Sequence, residues 1–368
     1  MISAIALVKK GVAFHAEYGT IRTVGALAKF LGNAVNDRCQ NIDEILSDDR
    51  GEGYPLRTRW NAARLGMSAD SYLFIGLDTT APDHYICSND PVTDINQDHI
   101  LQVHDKYVFQ QMTQPHVEAL PTLYGVIENG TFVPTIDSQL GLDEVLEQSE
   151  GVVFKPTRGG KGVGIHVVRS TDDGLEVRLN GTKSTGQTIS ETIARLDEYL
   201  VFEFILQHEY AAAIFPEATN TLRVHSIINP ETGEAEILRP VHRFGSSASK
   251  PTDNWSQGGY IAPINETTGT IQELVVVEGN TRSRLKRHPE TNSRVAGIAV
   301  PYWESVRELV CQAAEVHRQA PLVGWDVIVT ETGPVLIEAN ARPDEVLLQL
   351  EEGLLADSRA RQQLDGAL

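Results

Sequence analysis

Lysine is scarce in this chain: nine in 368 residues, at positions 9, 10, 29, 106, 155, 161, 183, 250 and 286. Together with a formal net charge of −19, this argues against wholesale binding to nucleic acid or to an anionic membrane surface. Cysteine is also rare. Cys39, Cys87 and Cys311 are scattered and can form neither a disulfide framework nor a zinc knuckle. No apolar run approaches the roughly 20 residues needed to span a bilayer. The apolar stretch 2–8 is followed, not preceded, by Lys9 and Lys10, the wrong order for a signal peptide. A cytoplasmic enzyme is the expectation. The length allows two or three packed subdomains.

Against that background, two of the nine lysines fall in one short segment, 152–168: Val-Val-Phe-Lys-Pro-Thr-Arg-Gly-Gly-Lys-Gly-Val-Gly-Ile-His-Val-Val. It reads as a strand ending at Lys155, a turn holding four glycines with Arg158 and Lys161, and a second strand over 163–168. Glycine lets backbone N–H groups approach an anion closely, and the cations supply charge. The β-branched exit from the turn excludes a Walker A loop and a Rossmann turn, both of which feed a helix. A basic, glycine-rich surface hairpin is the alternative.

Residues 324–340 hold a second constellation: Gly-Trp-Asp-Val-Ile-Val-Thr-Glu-Thr-Gly-Pro-Val-Leu-Ile-Glu-Ala-Asn. A hairpin centred on Thr332 places Asp326 opposite Glu338 and Gly324 opposite Asn340. Side chains alternate with period two, so Asp326, Glu338 and Asn340 share a face. The other face is expected to be apolar, with Trp325, Val327 and Val329 against Val335, Ile337 and Ala339. Opposed like charges destabilise a sheet, and a hard divalent cation removes the conflict; two carboxylates and an amide oxygen suit magnesium. A solvated acidic face, or one acid paired with Arg342, would also account for the pattern.

Around these segments the pattern predicts helices over 21–31 and 56–65 in the first hundred residues. An α+β stretch follows, with a helix over 104–112, strands over 122–127 and 131–133 joined at Asn129-Gly130, and further helices over 142–148 and 187–196. Strands over 199–206, 221–228, 235–241 and 324–330 come next, interrupted by an amphipathic helix over 303–318.

Four motifs now stand in order: Lys106 on a helix, the Phe154-Lys155-Pro156 glycine hairpin, the strand 200–205 carrying Glu203, and the Asp326…Glu338-Ala339-Asn340 hairpin. In this order they resemble the ATP-grasp superfamily. Asn220-Thr-Leu-Arg-Val224, Asp253-Asn-Trp-Ser-Gln-Gly-Gly259, Val323-Gly-Trp-Asp326 and Ile337-Glu-Ala-Asn-Ala-Arg-Pro343 resemble, more narrowly, its sugar-transfer-associated group, over about residues 100–345. The resemblance implies an α+β fold of two subdomains clamping ATP: a lid subdomain over 98–200, a large metal-bearing subdomain over 201–368, and a mainly helical region over 1–97 ahead of them.

Residue by residue, the resemblance implies that Lys106 and Lys155 reach the nucleotide phosphates, that Gly159, Gly160, Lys161 and Gly162 close over them, and that Glu203, Phe204 and Ile205 read adenine. Gln207, His208 or Glu209 would meet the ribose. Asp326, Glu338 and Asn340 would hold Mg2+ or Mn2+. Arg223 lies in an otherwise apolar strand, where an arginine needs an anionic partner; it is assigned to the γ-phosphate or an acyl-phosphate, or to a pairing with Glu236. Arg243 is assigned to the substrate. Asn254, Trp255, Gly258 and Gly259 lie in a loop read as a substrate loop or a plain turn. The implied activity is a carboxylate–amine ligase forming an amide or ester in cell-surface polysaccharide or peptide-sugar assembly, with a small-molecule or sugar/peptide substrate and possible homo-oligomers. A kinase acting on a hydroxyl and a non-catalytic ATP-binding protein are the competing readings.

Overall fold

A computed structural model describes residues 53–87, 90–136, 139–159, 163–171, 174–179, 182–183 and 189–365. The described residues fall into two compact units, one of 53–82 with 277–282, the other of 83–276 with 283–365. The expected helix over 21–31 lies outside the described residues. In the first unit, helices Leu56–Arg64 and Ala69–Phe74 follow one another; Ser68 caps the second by accepting from the Ser71 N–H at 3.2 Å. Such a cap satisfies a donor that the helix itself leaves unpaired.

The second unit holds one antiparallel sheet and all but four residues of another. The smaller is built from β1 (Leu123–Glu128), β2 (Thr131–Pro134), β3 (Gly151–Pro156), β4 (His166–Thr171), β5 (Gly174–Leu179), β6 (Thr182–Lys183) and β7 (Tyr199–Glu203). Its order is β2-β1-β7-β3-β4-β5-β6. Phe154, Val152, Val168 and Val201 form its core against Val145 and Leu146 of helix Leu142–Gln148.

The larger sheet comprises β8 (Leu222–Ile228), β9 (Ala235–Phe244), β10 (Tyr260–Pro263), β11 (Leu274–Glu278), β12 (Thr281–Leu285), β13 (Leu322–Thr330) and β14 (Gly333–Asn340), in the order β12-β11-β10-β9-β8-β13-β14. Helix Trp303–Val316 buries Trp303, Val306, Leu309, Val310, Ala313 and Ala314, the i, i+3, i+7 spacing of a one-faced helix. That stripe packs on Val224, Trp325, Val327, Val329 and Leu336. Fully burying each such large apolar side chain contributes about 1.5–3 kcal/mol, and the Trp325 indole N–H is satisfied by Ser226 Oγ at 2.8 Å.

Every residue of β13 but the last is buried, so its other face is covered too. At its start Leu322 joins Ile227, Leu238, Leu348, Leu354 and Leu364; at Asp326, in the middle of the strand, that face carries charge instead. Among the described residues, no helix is long and apolar enough to cross a membrane.

The expected facing of the β13–β14 hairpin needs one correction. Asp326 does oppose Glu338 and Gly324 does oppose Asn340, but a bulge follows, and Val327 then opposes Leu336. The chain turns across Glu331-Thr332, with Thr330 opposite Gly333. A two-residue turn and the Asp326–Glu338 pair differ in register by one residue, and the extra residue in β14 absorbs the difference. Leu336, not Val335 and Ile337, therefore enters the core.

Candidate active site

The charged face of the large sheet is organised by register. Arg223 on β8, Asp326 on β13 and Glu338 on β14 lie directly opposite one another in turn, so their side chains form one row across three strands. Arg223 forks onto Asp326, with Nε on Oδ1 and a terminal nitrogen 3.2 Å from Oδ2. Arg243, from β9, adds a second guanidinium 3.1 Å from Asp326 Oδ2. The expected alternative partner of Arg223 is occupied elsewhere: Glu236 accepts from Asn229 and pairs with Arg359 at 2.6 Å.

Burial by itself would raise the Asp326 carboxyl, but the two guanidiniums overcome it and hold it at about 2. Burial would likewise weaken the charge on Arg243, yet Asp253 and Asp326 keep it above the ordinary arginine range. Space for the cluster comes from Gly324, where a Cβ would lie 3.1 Å from Arg223 Cδ and 3.3 Å from the His225 ring.

Asp253 completes the arrangement. Its Oδ1 lies 3.4 Å from Arg243, and its Oδ2 accepts from the Thr221 N–H at 2.7 Å and the Thr221 hydroxyl at 2.6 Å. In the sequence Asp253 stands only as the head of a loop. An acid closing onto a Thr-x-Arg strand 30 residues earlier is a tertiary event without a periodic signal.

The two lysines approach from different elements, Lys155 from the smaller sheet and Lys106 from a helix. Lys106 is the first residue of helix Lys106–Thr113, where the helix dipole disfavours a cation, yet it is nearly buried. Its ammonium donates to the Gly159 carbonyl at 2.9 Å and lies 3.5 Å from Glu338 Oε1. Asp105 caps that helix through the Tyr107 and Val108 N–H groups and pairs with Arg158 at 3.2 Å, tying the helix to the glycine turn. Lys155, near the end of β3, rests 5.4 Å from the Phe202 ring centre. Burial depresses its ammonium below the normal lysine range, partly offset by Glu338, while Lys106 pushes the same way as burial. Among the described residues, four cations thus face three carboxylates, and Lys155 has none of them in direct contact.

Glu338 and Asn340 sit on this same face. The Asn340 side-chain nitrogen is buried without a hydrogen-bond partner, an orphan that an amide flip would turn into an acceptor oxygen. Among the described residues, no group of three or more His, Cys, Asp or Glu could hold a metal by itself. Two carboxylates and one amide oxygen nonetheless fit a hard divalent cation whose remaining positions are filled by phosphate and water.

The hinge residues are placed differently from one another. The Glu203 carboxylate accepts from the Thr122 N–H at 3.1 Å and hydroxyl at 3.0 Å. The Phe204 N–H donates to Gly151 at 3.1 Å, and Arg169 lies over its ring at 4.6 Å; Ile205 follows beyond the end of β7. Gln207 holds Asn220 and Ala218, and His208 is 3.3 Å from Glu331. Gly159 has φ of 126°, whereas Gly160, Lys161 and Gly162 lie outside the described residues.

The loop after Asp253 is tightly made. Asn254 caps the turn Trp255–Gln257, accepting from the Ser256 N–H at 3.1 Å. Gly258 is left-handed with φ of 98°. A Cβ on Gly259 would stand 2.6 Å from the Asp253 carbonyl oxygen, so glycine there is what lets the loop close beside the acid. The Trp255 indole N–H donates to Asp344 at 2.8 Å, and burial next to Asp344 raises the Glu345 carboxyl to about 7.

Comparison with known proteins bears on this arrangement. Among curated proteins, none matches the chain. Solved structures similar to it include D-alanine–D-alanine ligase from Bacillus anthracis, at 12% identity and a TM-score of 0.39, covering 72% of this chain and 65% of that one. Another is N5-carboxyaminoimidazole ribonucleotide synthetase from Thermotoga maritima, at 14% identity and a TM-score of 0.36, covering 70% and 49%. The chain thus spans less than two thirds of the length of either. The model of the family described as sugar-transfer associated ATP-grasp matches residues 92–363, a span that contains both sheets and the charged row, and the chain belongs to that family.

Proposed function

We propose that the protein is an ATP-dependent ligase that joins a carboxylate to an amine through an acyl-phosphate, in the assembly of a cell-surface polysaccharide or sugar-linked peptide. The observation that carries this reading is the excess of buried cations around the Asp326–Glu338 pair. Among the described residues, Lys106, Lys155, Arg223 and Arg243 converge on one face against three carboxylates, an excess of positive charge that favours an anionic ligand such as a nucleotide phosphate. We assign residues 98–200 to the lid and 201–368 to the large subdomain of the clamp.

Lys155 and Lys106 bind phosphate oxygens; binding restores to Lys155 the counter-charge that burial denies it. Arg223 and Arg243 are fixed by Asp326 and Asp253 before substrate arrives, so they stabilise developing negative charge without reorganising. A donor carboxylate oxygen forms a bond to the γ-phosphorus as the bond to ADP breaks. The amine nitrogen then bonds to the acyl carbon, phosphate departs with the C–O electron pair, and the proton on nitrogen passes to solvent or phosphate. Asp326, Glu338 and Asn340 would hold magnesium or manganese, which when bound would neutralise phosphate charge. Trp255, Asn254, Gly258 and Gly259 shape the loop that keeps Asp253 in place, and Glu203, Phe204 and Ile205 border the adenine end.

The test is phosphate release from ATP in the presence of paired pools of carboxylates and amines. Release that needs both partners supports the ligase. Phosphate retained on the product would instead establish the kinase reading, and ATP binding without any turnover the non-catalytic one.

A further inference from the structure

The charged row does not end at Arg223. Arg223 lies opposite Val241 on β9, and Val241 lies opposite Pro263 on β10, so the row continues onto the floor of a cavity of about 300 Å³. Opposed Cα atoms on neighbouring strands are about 5 Å apart. The cavity therefore begins one strand from Arg223 and two from Asp326, on the same face of the sheet.

Its wall is made by a distortion. Between the pairs Arg223–Val241 and His225–Leu238, β9 has two residues, Arg239 and Pro240, where β8 has one. Arg239 takes φ of 45°, a left-handed conformation that a non-glycine residue keeps only where its surroundings hold it. Three groups hold it there. Its N–H donates to Glu266 at 2.8 Å, its carbonyl accepts from the buried His225 Nδ1 at 3.0 Å, and its guanidinium donates to the Glu352 carbonyl at 3.0 Å. Bulges of this kind bend a strand beside a site, and here the bend faces the cavity.

We infer that this cavity binds the second co-substrate, a small amphipathic molecule bearing a primary amine; the inference rests on the ligase reading. The floor is apolar at Val241, Pro263 and Leu348, and the rim carries Asn265, Gln272 and Glu266. Its cation, Arg239, is committed to Glu352, 3.5 Å away, so the lining favours an ammonium over a carboxylate. The carboxylate donor belongs at the arginine end of the row. The volume is at the lower limit for small-molecule sites, matching an amino sugar or a one- to two-residue peptide.

The experiment titrates the full chain with glucosamine and with alaninamide, using glucose and lactamide as amine-free controls, and measures a magnesium-bound non-hydrolysable ATP analogue in parallel. Either amine is expected to bind more tightly than its control, glucosamine pointing to an amino sugar and alaninamide to a peptide. Gln272→Trp should weaken amine binding by about tenfold with nucleotide binding unchanged. Should that variant lose its near-UV circular dichroism, Glu266→Gln serves, and is expected to erase the preference for the amine over its control. Absence of amine binding, equal binding of the controls, or variants that bind as wild type would overturn the inference alone. Failure of the wild type to bind the nucleotide would overturn the ligase reading, and the inference with it.

Discussion

The two sheets handle buried positive charge in opposite ways. On the large sheet each arginine is met by acids: Arg223 by Asp326, Arg243 by Asp253 and Asp326. On the small sheet Lys155 is buried against Phe202, and the nearest compensation is the field of Glu338. The first arrangement is complete in the free protein and serves positioning. The second is incomplete, and a group left short of counter-charge is one that gains most from an anionic ligand.

Breaking the complete arrangement should have the largest effect. Asp326→Ala leaves two buried guanidiniums without their shared carboxylate, and a loss of about 3–5 kcal/mol is expected, measured as a fall in urea midpoint along with loss of turnover. Lys155→Met tests the incomplete arrangement: nucleotide affinity should drop about a hundredfold, while the urea midpoint stays level or rises. A lowered midpoint would show that Lys155 is as well paired as the arginines.

Acid offers a graded version of the first test. The folded Asp326 carboxyl sits at about 2 against an ordinary 3.8, so its stabilisation is present above pH 4 and is lost as pH falls toward 2. About 2 kcal/mol should disappear over that window, and Asp326→Asn, already destabilised, should show a shallower slope there. A smaller change is expected at the hinge, where Glu203→Gln keeps one acceptor for Thr122 and should cost no more than about 1 kcal/mol; thermal unfolding checks it. Trp255→Phe removes the hydrogen bond to Asp344 and should cost about 1 kcal/mol, read from the same unfolding curves.

Much of the fold could be read from local pattern. The Asp326–Glu338 and Gly324–Asn340 pairs follow from a tight turn and a period of two, and both are present. The bulge after them could not be read, because it arises from a conflict between turn length and register that leaves no mark on composition. The helix predicted over 104–112 is found over Lys106–Thr113, with a separate helix Ile100–His104 ahead of it; the capping aspartate Asp105 is what marks its start. β10, β11 and β12 are absent from the expected strands: β10 is only four residues long, whereas Gly279-Asn280 between β11 and β12 is a hairpin signal that could have found that pair.

At the site, residue type pointed to charge but not to partner. Arg223 on an apolar strand called for an acid, and Glu236 and Asp326 were both of the right kind. Strand order decided for Asp326, because β8 pairs with β13 and sets the two residues opposite each other. Asp253 and the Arg239 bulge depend on contacts 27 to 32 residues apart in sequence, beyond any local period.

The amino-acid sequence by itself determined the alternation of apolar and charged positions, the glycine turn after Lys155 and the hairpin pairing of Asp326 with Glu338, because these depend on neighbours within a few residues. Tertiary structure alone decided which cations are neutralised and which are left short of charge. That balance is set by strand order and burial, which bring residues more than a hundred positions apart within hydrogen-bond distance.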